Sequence, residues 1–245
     1  MKKNGLSTFK KASPMLTAAL ALFILLAFSL PCSAAVVFTS DFELGTPPEL
    51  SGAGSRVSVA GFPVAAGLGG YAWQNTSAGN PATPTTISLT GLAAHTWLRV
   101  SFDFIAFDSW DGLNQTWGPD YLNLVIGASA AQYSVIHSPA SIEDHQVSGP
   151  FDNSSIGRTF SDGTSYGGNS GWPDSVWHIV FQIPHAAGTA DLNFFASGSG
   201  WQGGSDESFG LDNIVVQTDT AAVPEPSAMI LLGSGLIGLL WFRKR

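Results

Sequence analysis

The residues of this chain with chemistry to offer are carboxylates and tryptophans. Two acidic groups lie near opposite ends of the sequence: Asp41-Phe42-Glu43 and Leu211-Asp212-Asn213-Ile214. A third, Asp108-Ser109-Trp110-Asp111-Gly112 followed by Gly118-Pro119-Asp120, packs three acids into a short stretch. Oxygen donors of this kind suit a hard divalent cation such as calcium, which takes six to eight carboxylate and carbonyl oxygens. The competing reading of the first two groups is that they end strands and face solvent. For the third, Asp-Gly and Gly-Pro-Asp are ordinary turn chemistry, glycine supplying positive φ and aspartate capping its own backbone. Its spacing also lacks the Asp-x-Asp-x-Asp-Gly regularity of a calcium loop.

Trp110, Trp117, Trp172 and Trp201 sit in polar, glycine-rich loops. A large apolar ring near water needs a reason, and stacking on the apolar face of a sugar is one. These four are the candidate ligand-binding residues; the alternative is that they fold back as lids over the ends of the core. Other motif matches carry no chemistry. Gly163-Thr164-Ser165-Tyr166-Gly167 has the G-x-S-x-G string of a nucleophile elbow, but no strand precedes it and no helix follows. The five histidines show no metal-ligand spacing. Paired carboxylates are plentiful, yet no spacing selects the acid and nucleophile of a glycosidase. No catalytic residue is expected.

The elements that must position these groups are short strands. Gly, Ser, Thr, Asn and Asp clusters punctuate β-branched and aromatic runs, and no segment keeps helical periodicity for three turns. The clearest strand is 97–107, with Leu98, Val100, Phe102 and Phe104 on one face and Arg99, Ser101 and Asp103 on the other. Others are expected over 36–43, 121–126, 133–137, 176–183, 192–196 and 211–217, with weaker candidates at 57–59, 72–74 and 85–89. The stretch 138–174 is poor in apolar residues and reads as an elaborate loop. The pattern predicts an all-β fold, a two-sheet antiparallel β-sandwich of the jelly-roll kind. In such a fold the terminal strands lie side by side, which brings Glu43 towards Asp212.

The two ends of the chain have a different texture. Lys2, Lys3, Lys10 and Lys11 precede an apolar run over 15–30, and Cys32-Ser33-Ala34 offers a small-residue cut before Ala35. These are the parts of a secretory signal peptide, passed through the export translocase. Pro31 beside Cys32, the sole cysteine, fits the alternative lipoprotein signal poorly. The expected organisation is a signal helix within 1–34, the β-domain over 35–217, a linker over 218–223 and a tail over 224–245. The tail holds Pro224-Glu225-Pro226, an apolar run over 228–242, and Arg243-Lys244-Arg245. As a transmembrane helix that run is about 23 Å long, which Ser227, Trp241 and the snorkelling basic residues extend towards a full span. Basic residues at both ends stay cytoplasmic, which leaves the domain outside the inner membrane.

This tail resembles the PEP-CTERM sorting signal. Pro224, Glu225 and Pro226 match its motif, and Gly233, Gly235 and Gly238 match its glycine-containing helix. The resemblance implies processing by exosortase, a membrane protease of Gram-negative bacteria whose substrates are surface or matrix proteins made alongside exopolysaccharide. The two acidic groups at opposite ends of the domain resemble the pattern of jelly-roll carbohydrate-binding and MAM-type modules, where such acids hold a structural calcium. That implies Ca2+ bound by Asp41, Glu43, Asp212 and Asn213.

Composition narrows the choice of function. Between Ala35 and Ala222 there are three arginines, no lysine and 17 of the 18 acids, a formal charge near −14. Nucleic acid is repelled by such a domain, and most lyase and phosphate chemistries lose their cationic helpers. The expected product is a non-catalytic, glycan- or matrix-binding surface protein, with exopolysaccharide a candidate partner. The alternatives are a secreted glycan-active hydrolase or lyase on the same scaffold, and a purely structural matrix protein.

Overall fold

The long alternating run around Phe102 is the spine of a sandwich. The computed structural model describes residues 34–113, 116–127, 129–133, 152–167 and 171–219. Within them lie β1 (Ala34–Ser40), β2 (Leu50–Gly52), β3 (Ser55–Ser58), β4 (Tyr71–Asn75), β5 (Thr85–Thr90) and β6 (Trp97–Asp108). Then follow β7 (Asp120–Ile126), β8 (Ser129–Tyr133), β9 (Asp152–Phe160), β10 (Ser175–Pro184), β11 (Thr189–Gly198) and β12 (Glu207–Asp219). One sheet has the order β3-β4-β12-β6-β10-β9. The far side of β12 is shared, since β4 pairs with Phe209–Leu211 and β1 with its later half. The other sheet runs β2-β5-β11-β7-β8. All pairings are antiparallel. The fold is the expected all-β jelly-roll sandwich. Among the described residues no helix is long and apolar enough to cross a membrane; the signal and sorting helices expected from sequence lie outside those residues.

Period-two alternation decides which side chains fill the middle. Leu98, Val100, Phe102 and Phe104 of β6 are fully buried between the sheets, where Phe102 meets Phe194 of the opposite sheet edge-on at 5.2 Å. Each such side chain contributes roughly 1.5–3 kcal/mol by leaving water. Two apolar residues of the other face, Ile105 and Phe107, are buried as well. They lie under the segment joining β3 to β4, whose Val59, Phe62 and Ala66 make a second, smaller core with them and Val176.

Two expectations differ from what is seen, and a third falls mostly outside the described residues. The stretch 138–174 contains β9, an edge strand with a single neighbour; such strands carry few apolar side chains, so Asp-Asn-Ser-Ser-Ile-Gly-Arg-Thr-Phe reads as loop. Of the strand expected over 133–137, Tyr133 lies in β8 and 134–137 lie outside the described residues. Asp41 and Glu43 follow the first strand instead of lying on it: β1 stops at Ser40, and Phe42 turns the chain with φ 57°.

Candidate functional site

Antiparallel pairing gathers three loops at one end of the sandwich. Ala106 of β6 lies opposite Ser175 of β10, and Asp108 opposite Glu207 of β12. The β6–β7, β9–β10 and β11–β12 loops therefore leave from the same edge. Asp174 ties two of them together. Its Oδ1 accepts the Asp108 N–H (2.9 Å), and its Oδ2 accepts those of Tyr166 (2.6 Å) and Gly167 (2.8 Å). Burial pushes its pKa up to about 6, against the pull of those three donors.

Beside this brace, three carboxylates converge. Asp111, Asp120 and Glu207 bring one oxygen each to within 4.8 Å of the others. The β6–β7 loop is closed by a reciprocal clamp: the Asp111 N–H donates to Asp120 Oδ2 (2.7 Å) and the Asp120 N–H to the Asp111 carbonyl (2.8 Å). Glu207 Oε2 accepts the Gln202 N–H at 2.7 Å. Asp120 and Glu207 are both 0% exposed, and Asp120 Oδ1 and Glu207 Oε1 have no hydrogen-bond partner. Burial first, then neighbouring carboxylates, push Asp120 up to about 8 and Glu207 to about 7. Asp111 and Asp120 are readable in sequence as turn residues or as ligands. Glu207 is not, because only the β12–β6 pairing brings it there.

The four loop tryptophans divide two and two. Trp110 is fully buried; its indole N–H donates to the Ser208 carbonyl (2.7 Å), and its ring packs edge-on to Phe104 at 5.0 Å. Trp201 is buried against Trp110 at 5.3 Å and donates to the Gly79 carbonyl. These two are lids on the core, which corrects their reading as ligand-binding rings: no face is left for a sugar. Trp117, on the β6–β7 loop, is 77% exposed, and Trp172, on the β9–β10 loop, is 51% exposed. A Cβ on Gly200 would collide with the Trp117 carbonyl, so glycine there lets the β11–β12 loop seat the Trp117 loop.

Of the residues expected to hold calcium, Asp212 and Asn213 lie at the bulge of β12 and Glu43 reaches the nearby 70–71 backbone, but among the described residues no group of three metal-ligating side chains includes Asp41, Glu43 or Asp212. Register slips between Asp212 and Val215, where Asn213 has φ 48°. Asp212 is fully buried; it accepts the N–H groups of Asn213 and Gly69, while its Oδ2 has no partner. Glu43 Oε1 accepts the N–H groups of Gly70 (2.7 Å) and Tyr71 (3.0 Å). Both carboxylates therefore hold the same backbone segment. A Cβ on Gly69 would collide with the Glu43 carboxylate. Burial pushes Asp212 up to about 7, with Asp103 and Glu43 adding to the rise. Asn213 donates its amide to Asp103 Oδ2 (2.7 Å) and the Gly67 carbonyl, so it anchors the bulge. Asp41 is exposed and accepts the Glu43 N–H. Ser165 of the dismissed G-x-S-x-G string donates to the Gly167 carbonyl of its own loop. The sorting residues Pro224, Glu225 and Pro226 lie outside the described residues.

Residues 222–245 match the family described as the PEP-CTERM protein-sorting motif. The C-terminus therefore carries that motif, which implies export and sorting to the surface or beyond. No curated protein matches the chain. Among solved structures, the chain is similar to the CBM22-1 xylan-binding domain from Paenibacillus barcinonensis Xyn10C. The identity is 12%, over 79% of this chain and 100% of that one, with a TM-score of 0.41. TmCBM61 in complex with beta-1,4-galactotriose is similar at 11% identity, 72% and 93% coverage and a TM-score of 0.36. The K3 cleaved adhesin domain of Lys-gingipain from Porphyromonas gingivalis is similar at 14% identity, 75% and 100% coverage and a TM-score of 0.36. These are loose likenesses, and no residue role passes from them to this chain.

Proposed function

We propose that this chain is an exosortase-sorted surface or matrix protein whose sandwich binds glycan without catalysis, through Trp117 and Trp172. The observation that carries the reading is the exposure of these two rings on neighbouring loops at one end of a rigid sandwich. A flat indole held on a braced loop offers a sugar face a large contact at low entropic cost. Exopolysaccharide, made alongside such sorted proteins, is the partner this address supplies; export translocase and exosortase act on the precursor as it crosses the inner membrane. Non-catalytic binding is supported by the burial of the converging carboxylates. Asp120 and Glu207 are closed off from any sugar, whereas a glycosidase pair must flank its substrate bond. Replacing Trp117 and Trp172 together by alanine should weaken retention on the host's own polysaccharide about tenfold or more, roughly 1.4 kcal/mol, and leave the melting temperature within about 2 °C. Retention equal to wild type contradicts the reading.

A structural calcium at Glu43 and Asp212 belongs to the same proposal. The unpartnered, buried Asp212 Oδ2 and the Glu43 carboxylate, both acids being hydrogen-bonded to the 69–71 backbone, fit an oxygen-ligated cation there. Such an ion would neutralise two neighbouring acids and pin the end of β1 to β12. EGTA should then lower the melting temperature of the wild type by more than that of the Glu43→Ala/Asp212→Ala double variant. An equal drop in both removes calcium from this place.

A further inference from the structure

We propose that Asp111, Asp120 and Glu207 form a second cation site, distinct from Glu43 and Asp212, which takes a calcium-sized divalent ion beneath the Trp117 loop. Three carboxylate oxygens lie within 4.8 Å of one another, inside the roughly 5 Å that separates opposite ligands of a calcium ion bound at 2.3–2.6 Å. The donors are all oxygen, which disfavours zinc and other softer metals. Acidic clusters are common without ions, but here two of the groups are sealed from water. Asp120 and Glu207 are 0% exposed, Asp120 Oδ1 and Glu207 Oε1 receive no hydrogen bond from any other residue, and the two carboxylates lie within hydrogen-bonding reach of each other. A buried carboxylate oxygen without a partner is strongly unfavourable, and an ion between the two removes that penalty at both.

Among the described residues no salt bridge reaches the cluster, and the ion pair is His178 with Asp103. Arg56 donates to the carbonyls of Phe42 and Glu43 and lies over the Tyr71 ring at 3.2 Å. Without a metal, the raised pKa values of Asp120 and Glu207 would let the pair keep protons at neutral pH. That is the rival state, in which a proton does the work of the ion.

The place of the site in the fold gives it a consequence. Asp111 and Asp120 open and close the loop that carries Trp117, and Glu207 begins β12. An ion shared by the three fastens that loop to the central sheet. If Trp117 binds glycan, which rests on the function proposed above, calcium removal should also weaken retention. The site itself is tested without any glycan.

Equilibrium dialysis of the full chain in mild detergent at pH 7.5, with calcium as the only added metal, counts the ions directly. Glu207→Gln and Asp111→Asn should each lower the bound calcium by one per chain, and the Glu43→Ala/Asp212→Ala variant should keep this ion. Terbium luminescence excited through tryptophan gives a second readout, because Trp110 adjoins Asp111: its calcium-displaceable signal should be lost in Glu207→Gln. Asp111 is only half-buried, so Asp111→Asn keeps the test valid should Glu207→Gln fail to fold. A calcium count unchanged by both substitutions, or no calcium bound by the wild type, overturns the proposal in favour of the shared proton. Loss of an ion only in the Glu43→Ala/Asp212→Ala variant would also overturn it, while leaving the first site standing.

Discussion

Trp110 and Trp117 lie on one loop, seven positions apart, and do opposite things. Trp110 fills the end of the core with its N–H satisfied by Ser208, whereas Trp117 meets solvent. Trp110→Ala should therefore cost about 3–5 kcal/mol in urea denaturation, through lost burial and the cavity left behind. Trp117→Ala should stay within about 0.5 kcal/mol of wild type. Comparable losses would mean that Trp117 is a core residue too. The sequence shows that loop tryptophans are present but not which way they face. That depends on Ser208 for Trp110 and on Gly79 for Trp201, each distant in the chain from the ring it holds. The same holds for the acids. Asp111 and Asp120 are visible as a cluster, while Glu207 arrives only through strand pairing.

At the scale of the element, the loops at the tryptophan end are held by buried carboxylates accepting backbone N–H groups. Asp174 is the clearest of these. Its pKa is raised to about 6 in the fold, above its ordinary value of 3.8. A raised carboxyl contributes stability that is complete below the unfolded pKa and is lost as pH climbs through the folded one. Asp174→Asn removes this titration together with one good acceptor, at a cost of about 1–3 kcal/mol at pH 4. The stability gap between wild type and variant should narrow as pH rises from 4 to 7, measured as urea midpoints with calcium held constant. A gap that widens over that window would show that the three backbone donors outweigh burial. The strand β6 is legible from its alternation because over its first half one face packs in the core while the other carries Arg99, Ser101 and Asp103. The edge strand β9 is not, since a strand with one neighbour among the described residues needs few apolar side chains and its sequence shows few. The bulge at Asn213, which sets Asp212 against Glu43, leaves no mark in the sequence pattern.

For the whole molecule, the strand pattern and the acidic composition between Ala35 and Ala222, which holds no lysine, lead to an all-β sandwich unsuited to nucleic acid. The tail motif leads to an address outside the cell. What binds at the tryptophan end is harder to read, because a sandwich scaffold hosts many functions and only the loops distinguish them. The central claim is that the tail delivers this domain to the surface, where its exposed rings meet glycan. The most direct test is the mass and location of the protein in its host with and without exosortase. The account predicts a tail-less form at the surface or in the medium that disappears when the enzyme is deleted. A full-length form held in the inner membrane of both strains would contradict it.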